Sequence, residues 1–259
     1  AVIINEVKLT NLNTDKSVYL ETEVDSVSFY TTEKFIPSAR DVFKLEVTTN
    51  QSAKPIVAID SIPETAQSFN IANISMDVKN YMEGDNFEWN IFSNVRLKFL
   101  SESKISPLYM ELAVFKNDYL FNEQGEFVVK SGEYKIQLQS STSFITSEEY
   151  YPSLTSMDAF YPQSLLFQCP PGTGDSLTIE FSYNCSTAAS MDELISAAHD
   201  LRIELRTVSD AFYHYKTALY KQRNAIRGDI IYGAAPPVIV PSNIENGTGI
   251  FAGYNATVK

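Results

Sequence analysis

Apolar and polar side chains alternate along VFKLEVT, residues 42–48. Phe43, Leu45 and Val47 share one face of this stretch, and a period of two is typical of a β-strand with one buried face. The same alternation recurs in residues 95–100, 109–115, 134–138 and 177–183. Turn-forming residues lie between these stretches. Many short strands at this spacing predict a mainly β chain built as a sandwich or a barrel.

A break in composition at residues 62–64, Ile-Pro-Glu, is the candidate domain boundary. It predicts an incomplete N-terminal β-sandwich unit at residues 1–62 and a larger C-terminal β-sandwich at residues 63–259. We expect Ig-like or transthyretin-like sandwich units, because the strands are short, alternating and separated by turns.

Helix signals are confined to residues 190–226, which we interpret as a helical insertion in the C-terminal sandwich. Ser190 followed by Glu193 is a capping-box pattern that predicts a short first helix. Ser209 is suited to cap a second helix, and Gly228 is expected to end it. The sequence therefore predicts one or two short helices near the C-terminus.

The charge balance limits the classes of partner. The 259 residues include 20 Lys and Arg against 32 Asp and Glu, which gives a net charge of −12. An acidic surface repels a phosphate backbone, so nucleic acid is excluded as a partner. No apolar run approaches the roughly 18 residues that a membrane span requires.

Residue patterns typical of catalytic or metal sites are missing from the sequence. The two histidines, His199 and His214, form no zinc motif, and neither a nucleophile elbow nor a phosphate loop occurs. Glu148 and Glu149 have the residue type that glycosidases use in pairs, but such pairs arise by chance in so acidic a chain. We therefore expect a protein that is not an enzyme and that carries no cofactor or metal.

Aromatic side chains cluster in two loops that contain proline. They are Tyr150, Tyr151, Phe160 and Tyr161. Exposed rings in such loops would form a platform for a glycan or a peptide. Alternatively, the rings pack beneath the loops as a satellite core.

Cys169 and Cys185 are the two cysteines of the chain. Each follows an alternating stretch, and each shares a face with the apolar residues of its own stretch. A disulfide between two neighbouring strands and a pair of buried thiols are both compatible with this placement.

The end of the chain carries its most specific motif, SNIENGTGIFAGY at residues 242–254. A strand-like stretch at 201–206 and a helix led by Ser209 precede it. A second, weaker match joins DVFKLEV at 41–47 to AIDSIP at 58–63. Together these segments resemble the Bacteroidota outer-membrane lipoproteins known as domain of unknown function 4249.

The polar residues and glycines of this motif have two interpretations. They are Ser242, Asn243, Glu245, Asn246, Gly247 and Gly249. As a turn, Asn246-Gly247 and Gly249 would adopt positive φ, and the other three side chains would satisfy backbone donors. The alternative is a ligand site at Asn243, Glu245 and Asn246.

The resemblance implies a lipoprotein of the outer membrane, exposed at the cell surface and held by a lipid anchor outside this chain. It also implies a TonB-dependent transporter as the partner, with an accessory role in nutrient uptake. The alternative function is a free-standing surface protein that binds a glycan or a peptide.

Three Asp-Ser-aliphatic triplets are similar to the sites at which exported Bacteroidota proteins are O-glycosylated. The serines are Ser26, Ser61 and Ser176. We retain them as candidate modification sites.

Overall fold

The computed structural model has a mainly β fold, as the alternating stretches predict. It describes residues 3–22, 29–30, 35–64, 68–83, 86–100, 108–121, 127–136, 138–140, 164–169, 176–188, 199–232 and 237–259. The strands are β1 (Ile4–Asn11), β2 (Lys16–Tyr19), β3 (Glu21–Thr22), β4 (Phe29–Tyr30), β5 (Val42–Thr49), β6 (Ser52–Ser61), β7 (Phe69–Glu83), β8 (Asn86–Leu100), β9 (Leu108–Phe121), β10 (Phe127–Lys135), β11 (Gln139–Ser140), β12 (Ser164–Cys169), β13 (Ser176–Ala188), β14 (His199–Val208), β15 (Ile244–Glu245) and β16 (Tyr254–Val258). Within these residues the structure has one helix, α1 (Asp210–Tyr232).

The chain divides into two compact units. The first contains residues 1–66 and 207–255, and the second contains residues 67–206 and 256–259. This division differs from the expected one in where it places the C-terminal segment, which returns to the N-terminal unit. The reason is strand pairing, because β15 joins the sheet of the first unit through β6.

The first unit contains a five-stranded antiparallel sheet in the order β15-β6-β5-β1-β2. The stretch VFKLEVT forms β5, which pairs with β1 on one side and β6 on the other. Phe43 is buried, and Lys44 and Glu46 form an ion pair of 2.7 Å. The predicted strand is confirmed, with its apolar side turned toward the interior at Phe43.

The second unit is a β-sandwich. One sheet has the order β10-β9-β14-β16, with β12 also paired to β9, and the other has the order β11-β13-β8-β7. Alternate residues of both sheets meet in one buried cluster. Its members on β8, β9, β12, β13 and β14 are Val95, Leu97, Phe99, Met110, Leu112, Val114, Leu165, Phe167, Cys169, Ile179, Phe181, Tyr183, Ile203 and Leu205.

Helix α1 begins where the sequence predicts. Ser209 Oγ accepts a hydrogen bond of 3.3 Å from the Phe212 amide, which is the expected N-cap. The predicted stop at Gly228 is wrong, because the helix continues through this residue to Tyr232. Glycine inside a helix costs only about 1 kcal/mol relative to alanine, which does not by itself end a helix.

The short helix predicted to begin at Ser190 lies outside the described residues. Within the described residues, no helix combines the length and the apolar character of a membrane span.

Candidate functional site

The closing segment is attached to the first sheet through Asn243. Its Nδ2 donates a hydrogen bond of 2.6 Å to the Phe251 carbonyl, and its Oδ1 accepts one of 3.0 Å from the Phe251 amide. Nδ2 also lies 3.4 Å from the Ile59 carbonyl on β6. One amide side chain thus closes the turn and connects it to the neighbouring strand. We call residues 242–254 with their contacts on β6 the clamp.

Two residues of the clamp have positive φ, as the turn interpretation predicts. Asn246 has φ of 61° and Gly249 has φ of 133°. The Asn246 side chain donates a hydrogen bond of 2.9 Å to the Pro55 carbonyl. Gly247 is not among the positive-φ glycines, so that expectation is wrong. Its role is steric, because a Cβ there would lie 3.1 Å from Ile244 Cγ2.

Ser242 and Glu245, the remaining polar residues of the motif, differ in their contacts. Ser242 Oγ accepts a hydrogen bond of 3.2 Å from the Ile244 amide, as the turn interpretation predicts. Glu245 lies in β15 opposite Val57 and is exposed. Both side-chain amide atoms of Asn243, and Nδ2 of Asn246, are hydrogen-bonded to main-chain groups, so the geometry favours the turn over the ligand site.

An apolar pocket of about 160 Å³ lies beside the clamp. It is lined by Leu9, Phe35, Pro37, Phe43, Asp60, Ile62, Phe251, Ala252 and Gly253. Asp60 Oδ2 accepts a hydrogen bond of 2.9 Å from the Gly253 amide. A Cβ at Gly253 would lie 2.6 Å from Ile62 Cδ1 and 3.1 Å from the Ser61 carbonyl, so the chain can approach β6 this closely only at glycine. The motif segments 41–47, 58–63 and 242–254 all contribute to this pocket.

Replacing Asn243 by alanine should lower the free energy of unfolding by about 1–3 kcal/mol. The reason is that both main-chain groups of Phe251 lose their hydrogen-bond partner. Urea unfolding followed by circular dichroism measures the loss. The control is Thr248→Ala in the same turn, where Thr248 is exposed and a change within about 0.5 kcal/mol is expected. Equal losses in the two variants would contradict the role of Asn243.

A polar cleft of about 410 Å³ lies on the second unit. It occupies the face of the β11-β13-β8-β7 sheet that is turned away from the sandwich core. Its lining residues are Asn73, Ser75, Asn94, Val95, Arg96, Ser140, Glu180, Phe181 and Ser182. We call this site the polar cleft.

An ion pair lies within the polar cleft. Arg96 on β8 and Glu180 on β13 are directly opposite each other in the strand register. Arg96 Nε donates a hydrogen bond of 2.6 Å to Glu180 Oε1, and about half of each side chain is exposed. Ser140 Oγ donates one of 2.5 Å to the Glu180 carbonyl, which joins β11 to the site. Hydrogen-bond donors and acceptors therefore lie side by side on one sheet.

Sequence reasoning missed the polar cleft, although part of its signal was present. The alternation in residues 95–100 and 177–183 places Arg96 and Glu180 on the polar faces of their strands. The alternation does not predict that β8 pairs with β13, because the two strands lie far apart in the chain.

A second polar cluster lies on β9, β12 and β14 of the same unit. Glu111 is fully buried, accepts a hydrogen bond of 2.6 Å from Ser164 Oγ, and pairs with Arg206 Nη1 at 2.9 Å. Arg206 also donates a hydrogen bond of 2.7 Å to Glu204 Oε2. A buried carboxylate with these partners is a structural element whose removal would leave charge uncompensated. Nothing in the strand pattern around Glu111 indicates that this residue is buried.

The other predicted site residues fall into two groups. Tyr150, Tyr151, Phe160, Tyr161 and Ser26 lie outside the described residues. Of the remaining candidate modification sites, Ser61 is exposed at the end of β6, and Ser176 begins β13.

The cysteines lie on different strands of the sandwich. Cys169 on β12 is buried, and its Sγ lies 3.4 Å from Met110 Sδ. Cys185 belongs to β13, and its backbone is opposite Ile91 of β8. Cys169 is thus a buried thiol and not part of a disulfide in this structure, as the second of the two alternatives predicts. The side chain of Cys185 lies outside the described residues.

Within the described ranges, no group of three or more His, Cys, Asp or Glu side chains is arranged to hold a metal ion.

Comparison with family models gives the family of the chain. The model of the family described as Domain of unknown function (DUF4249) matches residues 2–259. Among curated proteins and among solved structures, no match was found. The family match covers nearly the whole chain and confirms the resemblance expected from the closing motif. The chain therefore belongs to the DUF4249 family.

Proposed function

We propose that the chain is a non-enzymatic lipoprotein on the outer surface of the outer membrane. Its role is that of an accessory subunit of a TonB-dependent transporter in nutrient uptake. Support for the location and the partner comes from the motif resemblance, since the family itself is described as of unknown function. The observation that carries the docking role is the apolar pocket beside the clamp.

The pocket is suited to receive an apolar side chain of a partner. Phe35 and Phe43 line it, with ring centroids 5.4 Å apart in an edge-to-face arrangement. Ile36 follows Phe35 directly, and 73% of it is exposed. An open apolar pocket next to an exposed apolar residue has the properties of an interface anchor. The closing motif contributes Phe251, Ala252 and Gly253 to the lining of this pocket.

A pair of substitutions tests the docking role. In cells that carry the full-length protein, Ile36→Asp should lower the recovery of the co-purified transporter at least about ten-fold, as expected for a charge in an apolar contact. The matched control is Ile239→Asp, since Ile239 belongs to the same unit and is 89% exposed. We expect this control to retain wild-type recovery. Unchanged recovery with Ile36→Asp, or equal losses in both variants, would contradict docking at this pocket.

The second candidate function is a free-standing surface protein that binds a glycan or a peptide. The polar cleft favours it, because a cleft of about 410 Å³ is within the usual range of small-molecule sites. The aromatic loops with Tyr150, Tyr151, Phe160 and Tyr161 are a further candidate part of such a site. Under this alternative, the purified protein binds its ligand while no transporter is recovered with it.

A further inference from the structure

We propose that the polar cleft binds a neutral oligosaccharide. The inference rests on the proposed role in nutrient uptake and names the class of nutrient that the chain would hold. Four features of the cleft carry it: the chemistry of its side chains, its charge balance, its lack of apolar side chains and the contacts that hold its side chains in place.

The side chains of the cleft match the hydrogen-bonding pattern of a sugar. Each sugar hydroxyl donates one hydrogen bond and accepts up to two. Asn73 and Asn94 offer both donors and acceptors, Arg96 offers donors only, and Glu180 offers acceptors only. The hydroxyl groups of Ser140 and Ser182 adapt to either role. Neighbouring hydroxyls on one ring can therefore find partners of both kinds.

The charge balance argues against an anionic ligand. Arg96 is the cation in the lining, and its guanidinium is paired with the Glu180 carboxylate. The cleft is thus formally neutral, and the whole chain carries a net charge of −12. A phosphate or an acidic sugar would meet repulsion, and the lining offers no unopposed cation to compensate it.

The lack of apolar side chains argues against a peptide held by hydrophobic anchors. Val95 and Phe181 line the cleft, but their side chains are buried in the core of the sandwich. They therefore offer only main-chain groups to a ligand. Peptide interfaces depend on apolar or aromatic anchors in pockets, which the lining of this cleft does not provide.

The cleft is also held in position before a ligand arrives. The ion pair joins the central strands β8 and β13 directly across their register, and Ser140 fixes β11 to the main chain of Glu180. Side chains that are already ordered lose less conformational entropy on binding. This matters for a neutral ligand, which gains no attraction from net charge.

Binding of the purified protein to an array of neutral oligosaccharides, acidic oligosaccharides and peptides tests the proposal. We expect binding to members of the neutral set alone, with the affinity then measured by calorimetry. Arg96→Ala and Asn94→Ala should each weaken this binding by about ten-fold or more. The matched control is Lys98→Ala, because Lys98 is exposed on the same face of β8 but does not line the cleft. This control should bind like the wild type.

Folding of the variants is checked by circular dichroism. Arg96 and Glu180 form an exposed pair, which contributes little to stability, and Asn94 is exposed as well. Binding of no neutral oligosaccharide, preferred binding of acidic glycans or peptides, or an equal loss with Lys98→Ala would each overturn the proposal. Transporter recovery without glycan binding overturns this inference alone. Glycan binding without transporter recovery overturns the accessory role alone.

Discussion

Replacing Phe167 by alanine is expected to lower the free energy of unfolding of the second unit by about 3–5 kcal/mol. Phe167 on β12 is fully buried, and its ring centroid lies 6.2 Å from that of Phe99 on β8. The pair therefore links the two sheets of the sandwich across its core. Truncation to alanine removes buried apolar surface and leaves a cavity that close-packed neighbours fill only in part.

Urea unfolding followed by tryptophan fluorescence measures this loss. Trp89 is the one tryptophan of the chain and belongs to β8, so its signal reports on the second unit. Gln168→Ala is the control, since Gln168 is the next residue of β12 and is exposed. We expect it to change the free energy by no more than about 0.5 kcal/mol. A loss below about 1 kcal/mol for Phe167→Ala would mean that the two sheets do not share this core.

Replacing Glu111 by alanine should lower the free energy of unfolding of the same unit by about 3 kcal/mol. The carboxylate is fully buried and pairs with Arg206, whose side chain is only 14% exposed. Its removal leaves the guanidinium short of one partner in a place that water hardly reaches. The expected loss is at the lower end of the range for broken buried pairs, because Arg206 keeps its hydrogen bond to Glu204.

The matched control for this buried pair is Glu133→Ala. Glu133 pairs with Arg202 at 2.6 Å, but about a third of each side chain is exposed. Exposed pairs contribute about 0–1 kcal/mol, so the control should lose no more than that. The free energy of unfolding of both variants is measured by urea unfolding followed by tryptophan fluorescence. Equal losses in Glu111→Ala and Glu133→Ala would contradict the claim that burial makes the Glu111 pair stabilising.

Local patterns predict the strands of this chain well, because a period of two reflects one buried and one exposed face. The stretches at 42–48, 95–100 and 177–183 all lie in strands. The same patterns do not say which strands pair. β13 pairs with β8, and β15 pairs with β6, over long separations in sequence. Such pairing depends on the fit of whole sheets, so the return of the closing segment to the first unit was not predicted.

For single residues as well, features that depend on the local turn could be predicted from the sequence. The Ser209 cap was predictable, because a cap acts on the amides of the next turn. The positive φ of Asn246 and Gly249 was predictable for a similar reason. The predictions for Gly247 and Gly228 were wrong, because glycine permits a positive φ or a helix end without requiring either.

The candidate site follows this rule as well. Arg96 and Glu180 each stand at an exposed position of a predicted strand, yet only the pairing of β8 with β13 makes them an ion pair. Ser140 reaches the polar cleft from β11, which no pattern in the sequence indicates. A site assembled from four separate strands, β7, β8, β11 and β13, requires the fold before it can be recognised.

The most direct test of the proposed function is purification of the full-length protein from its native outer membrane in mild detergent. Mass spectrometry then identifies what remains bound. We expect a TonB-dependent transporter in a fixed stoichiometric ratio to the protein. Recovery of the protein alone, both before and after chemical crosslinking, would contradict the accessory role.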